Sequence, residues 1–180
     1  MNYCDGDMLV CNGRRFNPIA IMIRIATRGW RHAFDVKIAT HTAMVFLWRG
    51  KPYSVGMSGR RVVDARTGVK KTGIYIQPIA KENIIAVRRH EAFAISKSVS
   101  GLRLLVNRDL KEDDEYDYRV WADYVARFIG DYPDKYYCSE KFYLWTRIFI
   151  SYPQMFMVRV SPEDLHRCGC GWTTIESKIA

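Results

Sequence analysis

An α+β fold is predicted for this chain: a small antiparallel sheet with helices packed around it. Three observations lead there. Short apolar, β-branched and aromatic runs in the first half are separated by Gly, Lys, Asn and Pro, the pattern of short connected strands. The second half turns helical in period, with Tyr118, Trp121, Val125 and Phe128 on one face. A single early helix, between Asn17 and Gly29, carries both a start and a stop signal. At 180 residues the chain suffices for one domain with a substantial core.

The elements follow in order. Met8 to Cys11 is a first strand after the tight Asp5-Gly6-Asp7. Asn17 caps a helix whose first residue is Pro18, and Gly29 ends it. Thr42 to Trp48 is an apolar strand, turned at Gly50-Lys51-Pro52 into a partner, Tyr53 to Met57. Further strands are expected at Arg61–Asp64, Ile74–Pro78 and Ile84–Val87. His90 to Leu105 reads as helix. The run Glu112-Asp113-Asp114-Glu115 suits the head of the next helix, which ends at Gly130. A helix from about Cys138 to Ile150 carries Phe142, Trp145 and Phe149 on one face, and Pro153 stops it. Met155–Val160 is a late strand. Ser161 and Pro162 then form a cap and first-turn pair.

Composition narrows the function classes. Hydrophobic residues at 48% and charged residues at 26% are those of a globular protein. No apolar run is long enough to span a bilayer and no signal-peptide pattern is present, so a cytoplasmic protein is expected. Five cysteines, an odd number at irregular spacing, argue against a disulfide framework and for a reducing compartment. Cys168-Gly169-Cys170 with His166 lacks zinc-site spacing, so no metal and no cofactor is expected. The net charge of +9 is uneven: residues 1–100 hold seventeen Lys/Arg against six Asp/Glu, the remainder eleven against thirteen. Arg14, Arg15, Arg24, Arg28 and Arg31 lie in a stretch without an acidic residue, where a basic patch for nucleic acid, anionic lipid or an acidic substrate would form.

Cys138 opens its helix, and His41 lies on a strand about a hundred residues upstream. A thiol at a helix N-terminus sits among unpaired N–H groups at the positive end of the dipole, which favours the thiolate. An imidazole within reach lowers its pKa further and later serves as a general acid. The pair therefore reads as the nucleophile and base of a cysteine hydrolase or acyltransferase. Glu140, in the first helical turn, reads as dipole stabilisation; Asp7 shapes the first turn.

The order Gly6-Asp7, His41 opening a strand, a hairpin partner, Tyr137-Cys138-Ser139-Glu140 and a late Ser161-Pro162-Glu163-Asp164-Leu165 resembles the circularly permuted NlpC-type, papain-like hydrolases, the YiiX-like branch above all. The resemblance spans roughly residues 5 to 166, so 1–180 is read as a single permuted papain-like domain. It implies a thiol hydrolase or thiol protease in which Cys138 attacks and His41 is its base. The substrate would be a peptide, a peptidoglycan stem peptide or a lipid, and the source a phage or bacterium. Acyl transfer, known from the permuted lecithin retinol acyltransferases, is also implied. The family usually sets a polar residue on the strand after the histidine to orient the imidazole; here Gly56 stands in that place. Ser54 and Ser58 share its strand parity and are the candidate orienting groups.

Two rivals stand beside this reading. A catalytically impaired permuted module would hold nucleic acid or an anionic partner through its basic half. Alternatively, the Pro18–Arg28 helix, apolar with terminal arginine, would contact a membrane surface.

Overall fold

Arg49 and Gly50 both lie at positive φ, 51° and 75°, and Trp48 pairs with Lys51 across them. Positive φ at both central positions marks the primed two-residue turns, whose twist matches that of the strands they join. The turn therefore falls on Arg49-Gly50 rather than on Gly50-Lys51-Pro52. It closes a hairpin of β2 (His41–Trp48) and β3 (Lys51–Val63). The computed structural model describes residues 2–13, 15–113, 115–116, 135–136, 138–152 and 160–177.

With β1 (Met8–Cys11), β4 (Lys70–Pro78), β5 (Ile84–His90) and β8 (Trp172–Ser177), the hairpin builds a six-stranded antiparallel sheet in the order β4-β3-β2-β1-β5-β8. Helices α1 (Pro18–Arg28), α2 (Ser96–Glu112), α3 (Cys138–Thr146) and α4 (Pro162–Arg167) accompany it. A short parallel pair, β6 (Glu115–Tyr116) and β7 (Lys135–Tyr136), stands apart. The α+β expectation holds. Strand alternation splits the buried apolar residues between the two faces of the sheet. Met8, Met44, Phe46, Val55 and Ile76 meet Leu102 and Val106 of α2 and Phe142 and Trp145 of α3 in the main core. Leu9, Cys11, Ala43, Val45 and Val87 form a smaller cluster on the other face.

Local signals behave as their chemistry requires. Asn17 Oδ1 accepts the N–H groups of Ile19 and Ala20, capping α1 ahead of Pro18, and the Gly29 N–H closes it on Ile25. Ser161 and Asp164 form a reciprocal capping box at α4. Asp7 accepts the Cys4 N–H and both Nε and Nη2 of Arg89, which fixes the first turn.

Several boundaries differ from expectation. Arg61–Val63 is no separate strand but the end of β3, which continues through a register shift between Ser58 and Val62. His90 ends β5, and its Nδ1 caps a 3-10 turn, Glu91–Ala94, so α2 begins only at Ser96. Of the acidic run, Glu112 and Asp113 fall at the tail of α2, where Asp113 adopts a left-handed cap at φ 59°, and Glu115 opens β6. Carboxylates are unfavourable there, and Lys71 answers Asp113 with an ion pair. The helix that begins at Cys138 stops at Thr146 instead of about Ile150. Strand β8 was not foreseen, although Trp172-Thr173-Thr174-Ile175 after Gly171 carries a β signal. Cys168 and Cys170 are joined as a disulfide, against the expectation of free thiols. The helix expected around Tyr118–Phe128 and the strand at Met155–Val160 fall, all but Val160, outside the described residues.

Arg24 illustrates what locks α1 in place. Fully buried, it donates to the carbonyls of Arg15, Ala33 and Gly13 and to Asn12 Oδ1. One guanidinium thus ties the loop after β1, the helix and the turn that follows it. Arg24→Met strands those acceptors in a dry site. It should lower unfolding stability by about 3 kcal/mol in a denaturant titration. A loss under about 0.5 kcal/mol, the size of an ordinary surface change, would contradict this account.

Candidate active site

Helix α3 is held from three sides. Ser139 Oγ donates to the Val160 carbonyl at 2.6 Å. One turn on, Lys141 Nζ meets Asp109 Oδ2 of α2 at 2.8 Å, and Trp145 Nε1 donates to the same oxygen at 2.7 Å. Burial raises the Asp109 pKa, but the hydrogen bonds and charge of Lys141 and Trp145 outweigh it and keep the carboxyl ionised. This buried knot fixes the first turn of α3, and with it Cys138, its first residue.

His41 is the first residue of β2, opposite Cys11 of β1. The structure brings the two together: the Cys138 sulfur is hydrogen-bonded to the His41 ring and accepts the backbone N–H groups of Thr42 and Ser139. Burial pushes the thiol pKa up, but the facing imidazolium and these three hydrogen bonds outweigh it and hold the value below 9.0. For His41, burial works downward and is outweighed by the Cys138 charge and hydrogen bond and by the Glu82 charge. Its pKa rises from 6.5 to about 9. Each group thus favours the charged form of the other, which biases the pair towards thiolate and imidazolium.

The imidazole is backed by a group that the sequence reading missed. His41 Nε2 lies 2.9 Å from Tyr75 Oη. Tyr75 Oη donates to Glu82 Oε1 at 2.6 Å. Burial and the Glu82 carboxylate push the tyrosine pKa well above 10.0, so the phenol stays neutral. Its one proton goes to Glu82, and its oxygen accepts from Nε2–H. That fixes the tautomer and leaves Nδ1 as the nitrogen able to exchange a proton with sulfur. Ser54 Oγ and Gln77 Nε2 each donate to the same Glu82 oxygen at 2.8 Å. Ser54 thus holds the carboxylate behind the tyrosine, not the ring itself. Ser58 Oγ accepts the Arg60 N–H; Tyr75, not Ser58, is the ring's recorded partner.

Gly56 explains the substitution. It pairs with Tyr75 across β3 and β4. A Cβ built there would stand 3.3 Å from both the Tyr75 oxygen and the Ala43 Cβ. The missing side chain on β3 is the space that the β4 phenol fills. A signal was present: Tyr75 alternates with Ile74 and Ile76, so it must face away from the core they build.

The pair opens on a cleft of about 760 Å³, within the usual range for small-molecule sites. Phe16 and Ile19 lie on its α1 side, and Arg60 and Arg61 on its β3 side. The remaining histidines are engaged elsewhere. His32 meets Asp35 at 3.5 Å; His90 bridges the Cys170 carbonyl and the Ala92 N–H; burial and Arg88 lower the pKa of His166. Among the described residues, no three His, Cys, Asp or Glu side chains gather as a metal site. The thiols of Cys168 and Cys170 are spent on each other.

These electrostatics set a pH profile. Chemistry that needs thiolate and imidazolium together fails as pH falls through the lowered thiol value, and again as pH rises through about 9. The midpoint of the rate of alkylation by iodoacetamide should lie at lower pH than that of an ordinary thiol. A Cys138 alkylation rate that keeps climbing with a midpoint near 9 would contradict the ion pair.

No family model matches the sequence, and no curated protein is detectably similar to it. Among solved structures, the fold is similar to that of YiiX from Escherichia coli O157:H7, described as a metalloprotein. The TM-score is 0.60 at 16% identity, over 97% of both chains. The chain therefore has an α+β fold similar to that of YiiX.

Proposed function

We propose that this protein is a thiol hydrolase of the circularly permuted NlpC-type, papain-like class, cleaving an amide or ester bond through an acyl-enzyme. The observation that supports this best is the juxtaposition of Cys138 with His41, whose ring is backed by Tyr75 and Glu82, at the wall of a cleft. In the first step the thiolate attacks the carbonyl carbon. The oxyanion is met by the Cys138 N–H at the start of α3, and the imidazolium gives its proton to the leaving amine or alcohol. In the second step His41 takes a proton from water, which attacks the thioester and releases the acid and the thiolate. An amine or alcohol in place of water turns the same cycle into acyl transfer. No metal takes part in this scheme.

The reading of an impaired module leaned on the basic N-terminal half and on Gly56. With Tyr75 in the place a β3 side chain would take, the second support falls away. The test is to trap the intermediate. Wild-type protein mixed with a short-chain p-nitrophenyl ester and quenched in acid should carry one acyl group, located on the Cys138 peptide by mass spectrometry. An adduct spread over Cys4 and Cys11, or none at all, would refute the scheme.

A further inference from the structure

Helix α1 wears apolar residues on the wrong side. Its Ala20 and Ile23 are buried, yet Ile19 and Met22 face outward. Phe16 is 76% and Trp30 81% exposed, and Phe34 and Val36 are half exposed. All six belong to one short stretch of chain, and the Phe16 and Phe34 rings touch, with centroids 6.0 Å apart. The Arg24 guanidinium, bonded to the Arg15 and Ala33 carbonyls, holds both ends of this surface in register. Contiguous apolar patches of this kind mark interaction sites.

Charge identifies the occupant. From Gly13 to Phe34 there is no acidic residue. Arg15 and Arg31 are exposed and have no carboxylate partner among the described residues; the same holds for Arg60 and Arg61 across the cleft. Tryptophan and phenylalanine seat at the level of lipid headgroups, and flanking arginines are drawn to anionic ones. Nucleic acid would also satisfy the arginines and stack on the three aromatic rings, but the aliphatic Ile19, Met22 and Val36 beside them suit acyl chains and not bases. We infer that the α1 face docks on an anionic bilayer, with Phe16 and Ile19 linking the membrane surface to the cleft they line. Resting on the hydrolase reading, the substrate is then an acyl lipid drawn from that bilayer, its carbonyl delivered to Cys138.

Co-sedimentation with vesicles tests the surface apart from the chemistry, using Cys138→Ala protein. Vesicles of 70% phosphatidylcholine and 30% phosphatidylglycerol should bind it at least tenfold better than pure phosphatidylcholine. Trp30→Ser with Phe34→Ser, both exposed, should cut that binding tenfold or more without moving the melting temperature. Equal binding by this variant, or no sedimentation, overturns the proposal. So does a dimer, or salt-sensitive capture of single-stranded DNA, that the same two changes abolish while vesicles go unbound. Protein that docks as expected but never forms the Cys138 adduct would refute the hydrolase reading alone.

Discussion

Cys138→Ala protein should form no acyl adduct, and its turnover of an activated ester should drop by about 10⁴-fold or more. On the proposed mechanism, alanine removes the atom that bonds the carbonyl carbon, leaving the helix dipole and cleft to act on bulk water. His41→Ala should cost about as much in turnover, because members of one catalytic unit fail together. It differs in a second readout: the sulfur remains but loses the imidazolium that keeps its pKa low. The midpoint of alkylation should then rise toward that of a simple thiol. A His41→Ala protein whose midpoint stays as low as the wild type's would mean that the helix and the Thr42 and Ser139 N–H groups suffice, and His41 would lose its assigned part.

Tyr75→Phe should lower turnover by about 10²-fold while leaving the fold intact. The ring volume is preserved, but Nε2–H loses its acceptor and the tautomer is no longer fixed. Glu82→Gln separates orientation from charge. It removes the carboxylate that helps raise the His41 pKa, so the alkaline limb of the rate profile should move below about 9. Tyr75→Phe should leave that limb nearly in place, since the tyrosine is neutral. A Tyr75→Phe enzyme with wild-type turnover would reduce the tyrosine to packing. Gly56→Ala offers an independent check, because its methyl crowds the tyrosine oxygen at 3.3 Å and should reproduce part of the loss.

Much of this was legible before any coordinates. Caps are local chemistry, so Asn17-Pro18 and Ser161-Pro162 could be read from neighbouring residues alone. The Cys138–His41 pairing was legible because a helix-start thiol and a strand-start histidine occur in a known order. Tyr75 was not, since its role depends on strand register: only the β3–β4 pairing puts it opposite Gly56. Glu82 was hidden for a related reason, being brought to the site by the turn after β4. His90 misled as a helix start because its side chain caps a 3-10 turn, a local competition that periodicity does not register. Arg61–Val63 looked separate because glycine and charge interrupt the run, and the shifted register of β3 absorbs both.

The glycine on the third strand carries a wider lesson for recognising enzymes of this architecture. Two adjacent strands reach the back of one imidazole, so the duty of steadying it can be transferred from one to the other. A small residue at the old position is then a precondition of the new arrangement, not a scar of decay. Surveys that declare such proteins inert from a single missing polar residue should first inspect what the neighbouring strand presents to that space.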